Sequence, residues 1–137
     1  MPPNKPCGCT RRAVVVAAIG ACLPLPARAA ARDFIAAAFA MRDKAIAVGD
    51  QPYGAVVVRD AAIVGWGPSR VRELGDWVGH AEREAIRDAQ RNLARDDLSA
   101  CVMYSTSHPC GTCRRAAGEA RVARMYYGAE ATDAGKP

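Results

Sequence analysis

Two short runs carry residues able to do chemistry together: His80-Ala81-Glu82, and Pro109-Cys110-Gly111-Thr112-Cys113, whose proline follows Glu82 by 27 positions. Zinc favours a tetrahedron of nitrogen and sulfur donors, and a catalytic site takes three from the protein and leaves the fourth to water. His80, Cys110 and Cys113 make such a set. One neutral imidazole and two thiolates bring the centre close to neutrality, which lowers the pKa of a bound water while keeping the hydroxide nucleophilic. Glu82, two residues after His80, is placed to move protons without holding the metal, as base toward the water and then as acid toward a ring nitrogen and departing ammonia. The reaction class that needs this order is hydrolytic removal of ammonia from an amidine-like carbon, as in cytosine, adenine or guanine. A redox or structural cysteine pair is the alternative for Cys110 and Cys113. His108, the only other histidine, reads as a supporting or exposed residue rather than a ligand.

Elements must bring these runs together. Phe34, Ala38, Met41, Ala45 and Val48 recur at helical spacing, with Ile35, Phe39 and Ile46 alongside, predicting an amphipathic helix over Arg32 to Val48 that Gly49-Asp50 ends. Ala55 to Arg59 and Ala62 to Trp66 read as strands of a hairpin around Asp60-Ala61. Gly67 to Val78 reads as a loop. Ala81, Ala85, Ala89 and Leu93 mark a second helix, Cys101 to Ser105 a buried strand, Cys110 to Ala120 a short helix and Arg124 to Tyr127 a last strand. This alternation predicts an α/β fold with a sheet covered on both faces. Each chemical run opens a helix, where free backbone N–H groups and the positive dipole end favour thiolates.

The 137 residues suffice for one domain. With 29 alanines and only eight aromatic residues, the core must be close-packed from small side chains. A charged fraction of 24% without low-complexity tracts excludes a disordered chain, and no run is suited to a polytopic membrane protein. The net charge of +5 sits at the N-terminus: Met1 to Ala29 hold Lys5, Arg11, Arg12 and Arg28 and no acid, leaving 15 basic and 14 acidic residues from Ala30 onward. Basic residues, an apolar run from Ala13 to Leu23 and Ala27-Arg28-Ala29 follow in the order of an export signal, with cleavage expected after Ala29 and a bacterial periplasmic destination. Its 11-residue apolar run is too short for a bilayer of ~30 Å. Arg11-Arg12 resembles a twin-arginine signal, with a general secretory signal, a lipoprotein box ending at Cys22 and a mis-assigned start as alternatives.

On these motifs the chain resembles the cytidine and deoxycytidylate deaminase superfamily over about residues 32 to 128. Pro52-Tyr53-Gly54-Ala55-Val56-Val57-Val58 looks like that superfamily's first strand, and Ala123 to Ala129 like the strand after the zinc motif in guanine deaminases and tRNA adenosine deaminases. Tyr53 favours the guanine deaminase pattern, whereas Cys-Gly-Thr-Cys-Arg is similar to cytidine deaminases. The resemblance implies a three-layer α/β/α fold with a sheet of four to five strands, one Zn2+ per chain on His80, Cys110 and Cys113, Glu82 as proton shuttle, and substrate contacts from Gly54, Ser69 and Ala81. It also implies a homodimer. Ser69 occupies the place of a usual Asn, Asp76-Trp77-Val78-Gly79 replaces Asp-Pro-Thr-Ala, and only nine residues follow Gly128. Trp77 is offered either to stack on a base or to pack at a dimer contact.

The expected function is deamination of a free nucleobase or nucleoside. A tRNA adenosine deaminase-like enzyme would need a basic, aromatic-studded surface. Arg83, Arg87, Arg91, Arg114 and Arg115 form either such a patch or, with Glu84 and Asp88 interleaved, a solvated helix face. A non-catalytic zinc-containing binding protein is the other alternative, and nucleic acid and membrane spans are not expected.

Overall fold

The computed structural model describes residues 27–137. Helix α1 (Ala27–Ala47) leads into a hairpin of β1 (Gly54–Arg59) and β2 (Ala62–Pro68), followed by a single turn of helix, α2 (Val71–Leu74). Then come α3 (Ala81–Leu93), β3 (Cys101–Ser105), α4 (Gly111–Glu119), β4 (Arg124–Tyr127) and β5 (Thr132–Gly135). The sheet order is β2-β1-β3-β4-β5, parallel between β3 and β4 and antiparallel elsewhere.

The layers follow from the side-chain alternation of β1. Val56 and Val58 face α1, where Ile35, Ala38, Met41 and Tyr104 complete one core. Ala55 and Val57 face the other way, into a core with Ala81, Ala85, Ala89, Leu98, Met103 and Met125. Both faces are therefore covered, and each fully buried aliphatic side chain contributes roughly 1.5–3 kcal/mol. Small residues let the layers close. A Cβ on Gly67 would lie 2.1 Å from the Ala81 carbonyl, and one on Gly54 2.1 Å from that of Ala38.

The hairpin turn has Asp60 and Ala61 both at positive φ, 50° and 60°, the twist that two-residue hairpins require. Because β2 and β3 both run antiparallel to β1, the ends Pro68 and Ser105 lie at one sheet edge, opposite Gly54 and Ala55. α3 and α4 both begin beyond that edge. Ligands of open α/β sheets bind at such carboxyl ends.

Some element bounds and exposures differ from the sequence-based expectations. α1 runs from Ala27 to Ala47 rather than from Arg32 to Val48, so Val48 lies past its end at 79% exposed, and in the last turn Ile46 is 51% exposed while its neighbour Ala45 is buried. β2 continues to Pro68, and α2 occupies part of the expected loop. The sheet has five strands, within the four to five expected, since the short tail pairs as β5 with β4. Most of the expected export signal, residues 1–26, lies outside the described residues. No helix among the described residues is long and apolar enough to cross a membrane.

Candidate metal and active site

His80 is the N-cap residue of α3, but its ring makes no cap hydrogen bond. It turns instead to the start of α4, where Nδ1 lies 3.3 Å from Cys113 Sγ and 3.5 Å from Cys110 Sγ. The three donor atoms all lie within 4.8 Å of one another. Two tetrahedral zinc bonds of ~2.0–2.1 Å to nitrogen and ~2.3 Å to sulfur separate their donors by about 3.5 Å. The donor set therefore fits zinc in both chemistry and spacing. On its far side, His80 Nε2 lies 3.5 Å from Asp76 Oδ1, the arrangement by which a carboxylate orients a ligating imidazole.

The two cysteines sit in different surroundings. Cys110 is the N-cap of α4, and its Sγ accepts from Cys113 N at 3.5 Å and contacts Thr112 Oγ1 at 3.1 Å. Burial alone would push its thiol up, but these hydrogen bonds and that of His80 bring it down to about 7. Cys113 is fully buried, and burial together with the neighbouring Glu82 charge pushes its thiol well above the ordinary range. A thiolate at that position calls for a cation beside it.

Glu82 lies one residue into α3 past Ala81 and is 6% exposed. Its Oε2 accepts from Cys113 Sγ at 3.4 Å, and burial pushes its carboxyl above the ordinary carboxylate range. Glu82, Ala81, His80 and Cys110 line one cleft of about 290 Å³, walled by Gln51, Tyr53, Asp76, Ser107 and His108. This volume lies at the lower end of the ~300–1,000 Å³ typical of clefts for drug-sized ligands, a size suited to a single small ring system.

Of the expected substrate contacts, only Ala81 lines the cleft. Ser69 is 1% exposed and spends its hydroxyl on Asp50 Oδ1 at 2.9 Å. Gly54 is packed against α1, its N donating to Thr106 Oγ1 at 3.2 Å. His108 is exposed on the cleft wall, its Nδ1 donating to the Pro109 carbonyl at 3.0 Å and its ring edge-on to Tyr127. Trp77 is 66% exposed and lies outside the cleft lining. Sequence reasoning missed Gln51 and Asp50. Nothing local marks them, because besides Gln51 N the Asp50 carboxylate finds its partners about 20 residues further along the chain.

Residues 28–129 match the cytidine and deoxycytidylate deaminase zinc-binding region. The chain is 41% identical over 83 residues to a guanine deaminase of Bacillus subtilis, covering 61% of this chain and 53% of that protein. It is 40% identical to a tRNA-specific adenosine deaminase of Agrobacterium fabrum, covering 58% of this chain and 52% of that one. The chain thus spans about half the length of these relatives. Among solved structures, one from studies of A-to-I editing by tRNA:A34 deaminases superposes with a TM-score of 0.67 at 35% identity, covering 70% of both chains. The Bacillus subtilis guanine deaminase structure gives 0.66 at 34%, covering 71% of this chain and 62% of that one.

Proposed function

Because the chain belongs to the cytidine and deoxycytidylate deaminase zinc-binding family, we propose that it hydrolyses the exocyclic amine from a free nucleobase or nucleoside. The observation that carries this is the buried Glu82 carboxylate at the inner end of a cleft whose wall also holds His80 and Cys110, two of the three metal donors. His80, Cys110 and Cys113 hold the zinc, which when bound supplies a Lewis acid that makes water nucleophilic at neutral pH. Glu82 takes one proton from the attacking water to the ring nitrogen, and then carries the second, from the hydroxyl added to the substrate carbon, to the leaving amine. Its burial keeps bulk water from competing for those protons. Asp76 holds the His80 ring in the tautomer that leaves Nδ1 free to ligate.

A second reading, deamination of adenosine within tRNA, draws on the tRNA-editing relatives. Two of the three α3 arginines weigh against it: Arg87 is paired with Glu84 and Arg91 with Asp88 at 3.0 Å. Their charge is largely spent within the protein, and phosphate contacts dominate nucleic-acid affinity.

The test is zinc content and ammonia release with guanine, adenine, cytosine, their nucleosides and a tRNA anticodon stem-loop. About one zinc per chain and turnover of a base or nucleoside are expected, with Glu82→Gln keeping zinc and losing at least ~10²-fold in rate. A Glu82→Gln variant as active as wild type would remove the carboxylate from the reaction.

A further inference from the structure

The cleft contains one amide that the proton chemistry leaves unused. Gln51 is half-buried in the cleft wall. Its backbone N donates to Asp50 Oδ1 at 2.7 Å and its carbonyl accepts from Tyr53 N at 2.8 Å, while its carboxamide makes no hydrogen bond among the described residues. Pro52 between them fixes φ. The carboxamide is thus carried on a pinned turn, and little ordering remains to be done when it meets a ligand. The Asp50 carboxylate also accepts from Ser69 Oγ, Val71 N and Arg72 N at 2.9, 3.1 and 3.0 Å. The contact that holds Gln51 in place therefore also draws Ser69 away from the cleft.

Exposure sets the depth of each group. Glu82 is 6% exposed at the inner end, and Tyr53, two residues from Gln51, is 43% exposed at the rim. A base whose amidine carbon meets Glu82 turns its opposite edge toward the rim. In free adenine or cytosine that edge carries a ring N–H beside an acceptor, N9–H beside N3 or N1–H beside O2, whereas in a nucleoside the same nitrogen bears the sugar. A carboxamide offers one acceptor and two donors, and so pairs with both groups at once.

Resting on the deaminase function proposed above, we infer that Gln51 selects free bases over nucleosides by accepting from the ring N–H that the sugar replaces and donating to the acceptor beside it. Two neutral hydrogen bonds lost together amount to about tenfold in affinity.

The experiment uses the zinc-loaded full chain and measures KM and kcat by ammonia release. The probes are adenine and cytosine, each paired with the analogue methylated at that ring nitrogen, 9-methyladenine and 1-methylcytosine, with guanine and the nucleosides tested for ammonia release alongside. For the base that is turned over, the expected wild-type KM is about tenfold below that of its methyl analogue. Gln51→Ala is expected to raise the KM of the base about tenfold, leaving the methyl analogue and kcat within about twofold. A loss of cleft shape would raise both KM values alike. Equal effects on the pair, or none on either, overturn the role of Gln51 while leaving the deaminase function standing. Ammonia released from neither adenine nor cytosine overturns the role of Gln51, and ammonia released from no base and no nucleoside overturns the deaminase function with it.

Discussion

Replacing Gly67 by Ala is expected to damage the metal site from the opposite side of a helix. Gly67 lies on β2 with α3 directly above it. A Cβ there would sit 2.1 Å from the Ala81 carbonyl, 2.5 Å from Ala85 N and 2.8 Å from Ala85 Cβ. Ordinary contact begins at 3.4 Å, so α3 must retreat by more than an ångström, and the obstructing atoms are mostly backbone. Overpacking of this kind costs about 1–3 kcal/mol. The stiffer unfolded chain returns only about 0.4–1 kcal/mol, so the clash wins. With a net cost of about 1–2 kcal/mol, the expected fall in Tm for a domain of this size is roughly 3–10 °C. The retreating segment begins next to His80, and zinc bonds tolerate only about 0.2 Å, so a competing chelator should strip zinc from the variant more readily. Gly118→Ala is the control. Its nearest non-local atom lies at 3.7 Å and the position is inside α4, so the same substitution should stabilise by up to about 1 kcal/mol. Wild-type Tm and zinc retention in Gly67→Ala, or equal damage from Gly118→Ala, would refute the reasoning.

Three further outcomes are expected. Cys113→Ala should lose zinc and lower Tm, because metal binding is coupled to folding; full zinc content by elemental analysis would contradict the ligand set. Although burial pushes the Asp50 carboxyl up, hydrogen bonds from Gln51 N, Ser69 Oγ, Arg72 N and Val71 N hold it below the ordinary carboxylate range. Its stabilisation is therefore present above the unfolded pKa of about 3.9 and lost as pH falls through the lower folded value. The Tm gap between wild type and Asp50→Ala should be steady from pH 7 to 5 and close below about pH 4, and a gap undiminished at pH 2 would count against it. We propose that residues 1–29 direct export, so cell fractionation with N-terminal sequencing should find Ala30 first outside the cytoplasm. Intact Met1 on cytoplasmic protein would end that proposal.

The metal donors were legible in the sequence because their signal is local. A histidine and a paired cysteine motif, each opening a helix, need only those helices to start at one sheet edge. That common edge comes from the sheet, in which β2 and β3 both run antiparallel to β1 and so end on the same side. Core-facing positions such as Ala38, Met41, Ala85 and Ala89 followed from helical periodicity for the same reason. Val48 and Ile46 are placed by the same periodicity yet stand exposed, because the helix ends at Ala47 before Val48, and Ile46 lies beside the stripe that Ala45 buries. β5 lacked a strand-like sequence, and its pairing with β4 is made by the register of Tyr126 with Asp133 and the Arg124–Asp133 ion pair at 2.6 Å. The wall of the cleft was likewise decided in three dimensions. Ser69 and Gln51 are both plausible polar contacts by residue type, and the Asp50 carboxylate separates them by drawing the Ser69 hydroxyl inward and pinning the Gln51 backbone at the cleft. Residue type sets which hydrogen bonds a side chain is able to make, and only the packed chain determines which of them are already taken.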